Sequence, residues 1–255
     1  MIEARGVKKS FGAHQVLRGI DLKVDKGETL VIIGGSGSGK STFLKCVIGL
    51  VKPDEGSISV DGVDITKLGH EAEVAGYRRK FGYLFQEGAL FDSLTVAENV
   101  CFGLRYLRDD IPETKYRAIA ADKLALVGLS GIEDMKPAQL SGGMKKRVSL
   151  ARAIAPDPEY ILYDEPTTGL DPIMSDIIND LILDRKKKLG VTAIAVTHDM
   201  RSAFKIADRI AMIYEGRCLQ AGPPEAIKGT TDEMVRQFIE GRSQGPIKMK
   251  LKEYE

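Results

Sequence analysis

The chain has 255 residues, enough to bury one large core and to form one large domain or one domain with an inserted lobe. Its 37 lysine and arginine residues nearly balance 36 aspartate and glutamate residues, and the net charge of +1 excludes a strong overall attraction to nucleic acid or anionic lipid. Any association with a membrane is therefore expected to come through a protein partner.

The cysteines and the start of the chain bear on its environment. Cys46, Cys101 and Cys218 are far apart and show no C-x-x-C spacing, which argues against a disulfide framework and a zinc site. A reducing cytosol is the expected compartment. The first residues lack the apolar core of a signal peptide, and no apolar stretch approaches the roughly 20 residues that span a bilayer. We expect a soluble protein or a peripheral subunit.

The first predicted elements are strands that lead into a glycine-rich loop. Residues 16–33 alternate and then run apolar across a turn at Lys26–Glu28, which indicates paired strands feeding a buried strand, Thr29–Ile33. The loop 34–42 reads GGSGSGKST, and apolar residues at helical spacing follow it. Strand, loop and helix are the context that a phosphate-binding loop requires.

This loop matches G-x-x-x-x-G-K-S and predicts a nucleoside triphosphate site. Glycines let the backbone curl around phosphate oxygens, so that successive N–H groups and the next helix's N-terminus point at the anion. Lys40 would bring charge to the β- and γ-phosphates, and Ser41 a hydroxyl to the Mg²⁺ that bridges them. The predicted nucleotide-binding residues are Gly34, Gly35, Ser36, Gly37, Ser38, Gly39, Lys40, Ser41 and Thr42.

The middle of the chain changes character. From about Glu71 to Ala155 the pattern is mostly helical and more charged, which predicts a helical lobe, about 88–155, inserted between strands. Short apolar strands return at Tyr160–Tyr163 and Val191–Thr197 with a helical stretch between them. This alternation indicates a parallel sheet with helices on its faces.

The first of these strands, Tyr160–Tyr163, ends in two carboxylates, Asp164 and Glu165. Ligand sites in open α/β sheets lie at the carboxyl ends of strands. Asp164 would hold Mg²⁺ through its water shell, and Glu165 would polarise the water that attacks the γ-phosphate. A strand that ends in a solvated acidic turn is the alternative, and the phosphate-binding loop makes it the weaker one.

The last part of the chain loses the strand and helix rhythm. After Gly222 one short helical segment, Asp232–Glu240, precedes an arm with the sequence PIKMKLK. The period of two over Ile247–Lys252 suits an extended strand on another surface, and a solvated tail fits the pattern equally. We therefore divide the chain into a main domain, 1–222, and a C-terminal extension, 223–255.

The segment Leu140–Met144, LSGGM, closely resembles the signature of the ATP-binding cassette (ABC) ATPase family. Ser141 suits the N-cap of a helix, and the glycines after it leave the helix's amino end open to an anion. The resemblance covers residues 1 to about 225. It implies an α/β fold of the P-loop NTPase (RecA-like) class: a mostly parallel sheet with an N-terminal antiparallel β region and an inserted α-helical lobe.

The resemblance also implies the cofactors and the assembly. ATP and Mg²⁺ are the expected cofactors, and ATP hydrolysis coupled to transport is the expected reaction. In the family, the γ-phosphate on one subunit meets the signature of the opposite subunit. A second copy of the chain would therefore complete each site with its Ser141, Gly142 and Gly143. Asp164 and Glu165 are both present, which predicts a hydrolytically competent cassette.

Further positions match the family's pattern. Gln86 resembles the glutamine that senses Mg²⁺ and the attacking water, Asp171 the loop that communicates across the dimer, and His198 the γ-phosphate histidine. The predicted catalytic residues are Glu165, His198, Gln86 and Lys40, and the predicted metal-binding residues are Ser41, Gln86 and Asp164.

Phe11 resembles the aromatic residue that stacks on adenine, with Val16 nearby, although a phenylalanine of the core or sheet edge fits as well. His14 and His70 have no such context, and we interpret both as structural or solvated. Most of the family has glutamine where this chain has Met144. That difference changes one side chain near the nucleotide of the opposite subunit.

The segment 85–100 contains the string GALFDSLTV and resembles the ATPase subunits of the Mla (Mkl-related) phospholipid transporters, which work with MCE-domain proteins. Met144, Asp171–Met174 and Val235–Gly241 agree with that resemblance. It implies an inner-membrane permease (MlaE-like), an MCE-domain protein (MlaD-like) and a STAS-domain protein (MlaB-like) as partners, a place on the cytoplasmic face of the inner membrane, and no nucleic acid. The extension would contact the second ATPase copy or a partner.

Two alternatives stay open. The chain fits the ATPase of another ABC importer, for an amino acid or other small solute. It fits less well a soluble ABC ATPase acting on DNA or the ribosome, since such proteins usually carry long coiled coils or two fused cassettes.

Overall fold

The computed structural model describes residues 1–86, 88–107 and 110–248. The strands are β1 (Ile2–Phe11), β2 (His14–Val24), β3 (Thr29–Ile33), β4 (Glu55–Val60), β5 (Val63–Asp64), β6 (Phe81–Leu84), β7 (Tyr160–Asp164), β8 (Thr192–Thr197), β9 (Arg209–Tyr214) and β10 (Arg217–Gly222). The helices are α1 (Lys40–Val47), α2 (Glu71–Arg78), α3 (Val96–Leu107), α4 (Tyr116–Leu126), α5 (Gly142–Ile154), α6 (Pro172–Leu189), α7 (Met200–Ile206), α8 (Pro224–Lys228) and α9 (Glu233–Glu240).

Two sheets organise these elements. An antiparallel sheet has the strand order β2-β1-β4-β5, and a larger sheet has the order β10-β9-β3-β8-β7-β6. In the larger sheet only the edge strand β10 runs antiparallel to its neighbour, so the predicted mostly parallel sheet with an N-terminal antiparallel region is confirmed.

The register of the larger sheet brings the candidate site together. Ile33, the last residue of β3, pairs with Thr197 at the end of β8, and Asp164 at the end of β7 pairs with Val196. The carboxyl ends of three neighbouring strands therefore meet at one edge. The glycine-rich loop, the acidic pair and His198 all follow directly from that edge.

The core lies on both faces of this sheet. Val31 and Ile33 of β3 belong to the cluster shared with the helical lobe, and Leu30 and Ile32 to the cluster shared with α1 and the antiparallel sheet. Side chains alternate faces along a strand, and both faces here are covered, so β3 is apolar without interruption.

Helices α3, α4 and α5 pack on one another in the predicted helical lobe. Val96, Val100 and Leu104 recur every four residues and are fully or almost fully buried, which orients α3 toward the core. Within the described ranges no helix combines the length and the apolar character needed to cross a membrane. The three cysteines are free thiols.

Two features of the C-terminal region were not part of the expectation. The sequence did not predict α8, which has five residues and is too short to show a helical period. The described part of the arm is bonded to α9: Gln237 donates to the Ile247 carbonyl at 3.1 Å and accepts from the Ile247 N–H at 2.7 Å. The rest of the predicted strand, from Met249 onward, lies outside the described residues.

Candidate functional site

Two glycines of the loop stand where no side chain fits. Gly34 has φ +151°, and a Cβ there would lie 2.1 Å from the Ile213 carbonyl oxygen on β9. Gly39 has φ +105°, and a Cβ there would lie 2.8 Å from a Leu17 methyl on β2. The loop is therefore pressed between the two sheets before α1 begins at Lys40.

Lys40 lies inside the curl of the loop. Its ammonium donates to the carbonyl oxygens of Gly34 and Gly35, at 2.8 and 3.0 Å, and the residue is 7% exposed. Burial lowers the pKa of Lys40 below its ordinary value, and the nearby carboxylates of Glu165 and Asp164 oppose that shift. A polyphosphate beside this ammonium would supply the countercharge that the chain supplies only in part.

Asp164 lies against the start of α1. The Ser41 hydroxyl donates to one carboxylate oxygen at 2.8 Å, and the buried Tyr83 hydroxyl on β6 donates to the other at 3.1 Å. Burial and the Asp164 charge raise the pKa of Tyr83, so this phenol keeps its proton. Hydrogen bonds from Ser41 and Tyr83 thus fix both carboxylate oxygens of Asp164.

These residues fit a magnesium ion that is held mainly by phosphate and water. Mg²⁺ takes oxygen ligands and is typically bound by one or two carboxylates plus substrate phosphates. Ser41 and Asp164 supply such oxygens side by side. The described part of the chain contains no cluster of three or more His, Cys, Asp or Glu residues that would form an all-protein metal site.

Glu165 is held in a conformation unusual for its residue type. Its φ is +51°, in the left-handed region, and its N–H donates to the Val196 carbonyl at 3.0 Å. The Thr168 hydroxyl lies 2.9 Å from its Oε2, and His198 Nδ1 lies 3.0 Å from the same oxygen. The strained turn and these two contacts point the buried Glu165 carboxylate toward the end of β8.

An open cleft of about 300 Å³ lies beside the loop and is lined by Phe11, His14, Val16, Gly37, Gly39, Lys40, Ser41 and Thr42. Phe11 is 52% exposed, so it is not a core residue, and its ring is available at the mouth of the cleft. His14 pairs with Phe11 across the β1–β2 turn, which places it in this cleft and not in an isolated surface position.

The signature forms the N-terminus of α5. Ser141 caps α5 by accepting from the Met144 N–H at 3.3 Å, and both Ser141 and Gly142 are exposed. A Cβ on Gly143 would lie 3.3 Å from the Met174 side chain. Asp171 caps α6, accepting from the Ile173 and Met174 N–H groups at 3.0 Å each.

The sequence pattern of the family described as ABC transporter matches residues 17–168. The chain belongs to the ABC transporter family.

Relatives that match this ABC ATPase over nearly its whole length bear different names. It is 39% identical, over 98% of its length and 94% of the relative, to the intermembrane phospholipid transport system ATP-binding protein MlaF of Haemophilus influenzae. It is 42% identical, over 97% of its length and 68% of the relative, to the "Probable ribonucleotide transport ATP-binding protein mkl" of Mycobacterium tuberculosis. It is 42% identical, over 94% of its length and 92% of the relative, to the L-cystine import ATP-binding protein TcyN of Bacillus subtilis.

The fold matches solved cassettes. A dimeric ATP-binding cassette, MJ0796, bound to ADP and phosphate after hydrolysis, is 33% identical, with a TM-score of 0.82, over 88% of this chain and 99% of that one. The chain is an ATPase of the ABC class, and adenine nucleotide is its ligand.

In this ABC ATPase some predicted residues come together and others do not. Lys40, Ser41, Asp164, Glu165 and His198 form one cluster through the contacts above. Gln86 lies two residues beyond β6 and is exposed; its carbonyl accepts a hydrogen bond from Lys146.

Sequence reasoning missed three residues of the site: His14, Tyr83 and Lys146. Only His14 had a local signal, since Gly12 and Ala13 form a tight turn that pairs it with Phe11. Tyr83 and Lys146 contact residues that are far from them in the sequence.

Proposed function

We propose that this ABC ATPase is the motor subunit of a transporter that moves phospholipids between inner and outer membranes and so maintains outer-membrane lipid asymmetry. The supporting observation is the end-to-end similarity to a phospholipid transport ATPase. The string GALFDSLTV within 85–100 and Met144 agree with it. The subunit would act on the cytoplasmic face of the inner membrane.

An importer of an amino acid or other small solute is the second candidate. The L-cystine import relative is as similar in identity, so overall identity does not choose between the two cargoes. The partners do. We propose an inner-membrane permease (MlaE-like) with MCE-domain (MlaD-like) and STAS-domain (MlaB-like) proteins.

The test is a pull-down of the tagged full chain from detergent-solubilised native membranes. A permease recovered with MCE and STAS proteins supports the lipid transporter, whereas a permease recovered with a periplasmic solute-binding protein contradicts it. We propose that residues 88–97 meet the permease. Phe91, which is 43% exposed there, offers a control. Phe91→Glu should lose the partners and keep ATP binding.

We infer that two copies close head to tail around ATP. Each nucleotide would lie between the Lys40 loop of one copy and the Ser141–Gly143 segment of the other. The exposure of Ser141 and Gly142 supports this arrangement, because it leaves the start of the signature helix open to a ligand. The dimer of the solved cassette supports it as well.

Within each site the residues would divide the work. Lys40 and the loop N–H groups bind the β- and γ-phosphates, and Phe11 packs on adenine with Val16 and His14 beside it. Ser41, Asp164 and Gln86 would hold Mg²⁺, which neutralises phosphate charge when bound. We assign the general base to Glu165 and the γ-phosphate contact to His198. The contact of His198 Nδ1 with Glu165 leaves Nε2 for that role.

The assignment of Glu165 is tested by Glu165→Gln, which keeps the side-chain shape and removes the base. We expect ATP turnover to fall by about 100-fold or more while ATP still binds. Size-exclusion chromatography with ATP should then show a trapped dimer. Turnover at the wild-type rate would overturn the assignment.

We further propose that the extension 223–255 contacts the second ATPase copy or a partner. Ile247 is bonded to Gln237, so a truncation after Gly241 would also disturb α9. A truncation after Lys248 preserves that contact. It should weaken recovery of the complex and leave ATP affinity unchanged; an unchanged complex on size-exclusion chromatography would count against the extension's role.

A further inference from the structure

Helix α5 carries a row of hydrogen-bond donors behind the signature. Lys146, Ser149 and Arg152 are spaced three residues apart and therefore share one face of the helix. Their side chains meet main-chain carbonyls of the segment that begins at Gln86. We refer to these three residues as the donor row.

Lys146 joins two catalytic segments. Its ammonium donates to the Gln86 carbonyl and, at 3.0 Å, to the Glu165 carbonyl, and the residue is 7% exposed. Charge-assisted hydrogen bonds of this kind are shorter and stronger than those between neutral groups. Gln86 follows β6 and Glu165 follows β7, and Lys146 ties the main chains of both residues to one point on α5.

The other two donors extend this attachment. Arg152 donates to the Gly88 carbonyl at 2.6 Å and to the Ala89 carbonyl at 2.7 Å. The Ser149 hydroxyl lies 3.0 Å from the Gly88 carbonyl and shares its one hydrogen with a carbonyl of its own helix. A Cβ on Gly88 would lie 2.7 Å from the Ser149 hydroxyl, so only glycine permits this close approach.

Asn99, on α3, holds the exposed part of this segment, around Phe91. Its amide donates to the carbonyls of Phe91 and Thr95 at 3.1 and 2.9 Å, and its oxygen accepts from the Phe91 N–H at 2.8 Å. Asn99 is fully buried. Gln86 and residues 88–95 are thus bonded, at both ends of this segment, to helices of the lobe that carries the signature.

We propose that Lys146 is a positioning residue for ATP hydrolysis, and that the donor row makes the segment from Gln86 onward follow the signature helix. The proposal rests on the closed dimer proposed above. When the γ-phosphate of the opposite site engages Ser141–Gly143, α5 shifts, and the donor row shifts the segment with it. Hydrolysis-competent alignment of Gln86 with Glu165 and movement at the permease surface then occur together.

The first test is kinetic. Lys146→Met removes the donor at nearly constant volume, and we expect kcat for ATP to fall by about tenfold or more with KM unchanged. Lys146→Arg should restore most of kcat. Lys123→Met is the matched control, since the Lys123 ammonium also contacts a carbonyl of this lobe, that of Ile154 at 3.5 Å, and not the segment.

Thermal melting of each variant separates misfolding from misalignment. If Lys146→Met does not fold, Lys146→Gln, which keeps a neutral donor, should show the same loss in smaller degree. A wild-type kcat in whichever variant folds overturns the proposal. A raised KM with unchanged kcat overturns it too, because it would place Lys146 in nucleotide binding.

The second test measures transmission. The chain has no tryptophan, so Phe91→Trp creates a single reporter in the segment, beyond the residues that the donor row contacts. In a Glu165→Gln background, ATP should change its emission, and Lys146→Met should abolish most of that change while size-exclusion chromatography still shows the dimer. If Lys146→Met chains form the dimer and show the full emission change, the role proposed for the donor row is wrong, and the closed-dimer mechanism still holds. Absence of any dimer in the parent overturns the closed-dimer mechanism, and this inference with it.

Discussion

The phosphate-loop side and the signature side of this cassette are built in opposite ways. On the loop side, the Lys40 ammonium and the Asp164 and Glu165 carboxylates each have partners within the same chain. On the signature side, Ser141 and Gly142 are exposed, and the Ser141 hydroxyl only caps its own helix. In each chain, the loop half of the nucleotide site therefore has its charged groups already paired. The signature half has exposed groups that can bind a ligand.

Physical chemistry accounts for this difference. A buried charge is costly unless it is paired, so the loop side must hold its charges in place before any nucleotide arrives. A helix N-terminus made of serine and glycine has no charged side chain to bury and can face water freely. Closure of two copies then depends on the γ-phosphate, which contacts the loop of one copy and the signature of the other.

The largest expected effects would separate the two sides. Lys40→Ala should remove ATP binding by single chains, because the phosphates lose their buried cation. Gly143→Asp should leave single-chain binding intact and abolish ATP-dependent dimerisation, since a carboxylate would face the γ-phosphate. Turnover should fall by about 100-fold or more in both variants. Labelled-nucleotide binding and light scattering measure the two properties separately.

A mixing experiment sharpens the same comparison. When chains with Lys40→Ala are mixed with chains with Gly143→Asp, each mixed dimer has one site with an intact loop and an intact signature. ATPase activity above the sum of the two separate variants is expected. Activity equal to that sum would contradict a site built from two chains.

Local spacing explains why so much of the loop side could be predicted. The loop 34–42 and the acidic pair follow directly from strands whose apolar runs are continuous, and β3 begins and ends where the sequence places it. The signature needed only the residues from Leu140 to Met144. Each of these features is encoded within about ten neighbouring residues, which is the range over which pattern reasoning works.

Tyr83 and Lys146 depend instead on tertiary contacts. Tyr83 meets Asp164, 81 residues away, because β6 pairs with β7, and Lys146 meets Gln86, 60 residues away, because α5 packs against β6. Similarly, Ile247, the first residue of the alternating arm, bonds the side chain of Gln237, a pairing that the period of two does not indicate. Contacts of this kind leave no periodic pattern in the sequence.

A smaller effect is expected from Tyr83→Phe, which removes a partner of Asp164 and keeps the ring. Asp164 would then be held by Ser41 alone. Losing a residue that orients a metal ligand typically costs 10- to 100-fold, and we expect about a tenfold rise in the Mg²⁺ concentration for half-maximal turnover. Magnesium titration of ATPase activity measures it.

The neighbouring strand offers a matched control for this substitution. Among the described residues the buried Tyr163 hydroxyl has no hydrogen-bond partner, so Tyr163→Phe should leave the magnesium dependence unchanged and should not destabilise the chain. An equal shift in both variants would mean that the phenol acts through packing and not through Asp164.

The smallest predicted effect is proton uptake on ATP binding, and it again involves only the loop side. Because burial lowers the pKa of Lys40, part of this ammonium is neutral in the free chain at alkaline pH as its lowered pKa is approached. Bound phosphates favour the charged form, so ATP binding should take up protons there, and affinity should fall as pH rises, by no more than about tenfold per pH unit. Isothermal titration calorimetry in two buffers of different ionisation enthalpy measures the uptake.

The stability of the nucleotide-free chain should change in the opposite direction. The folded state holds Lys40 less protonated than the unfolded state between the lowered pKa and the ordinary one, so unfolding free energy rises with pH across that interval. Gly143→Asp chains, which stay single, isolate this half of the site from dimer closure. If they bind ATP at alkaline pH without proton uptake, the Lys40 ammonium is already fully charged in the empty loop. That result would contradict the prediction that bound phosphates raise the protonation of Lys40.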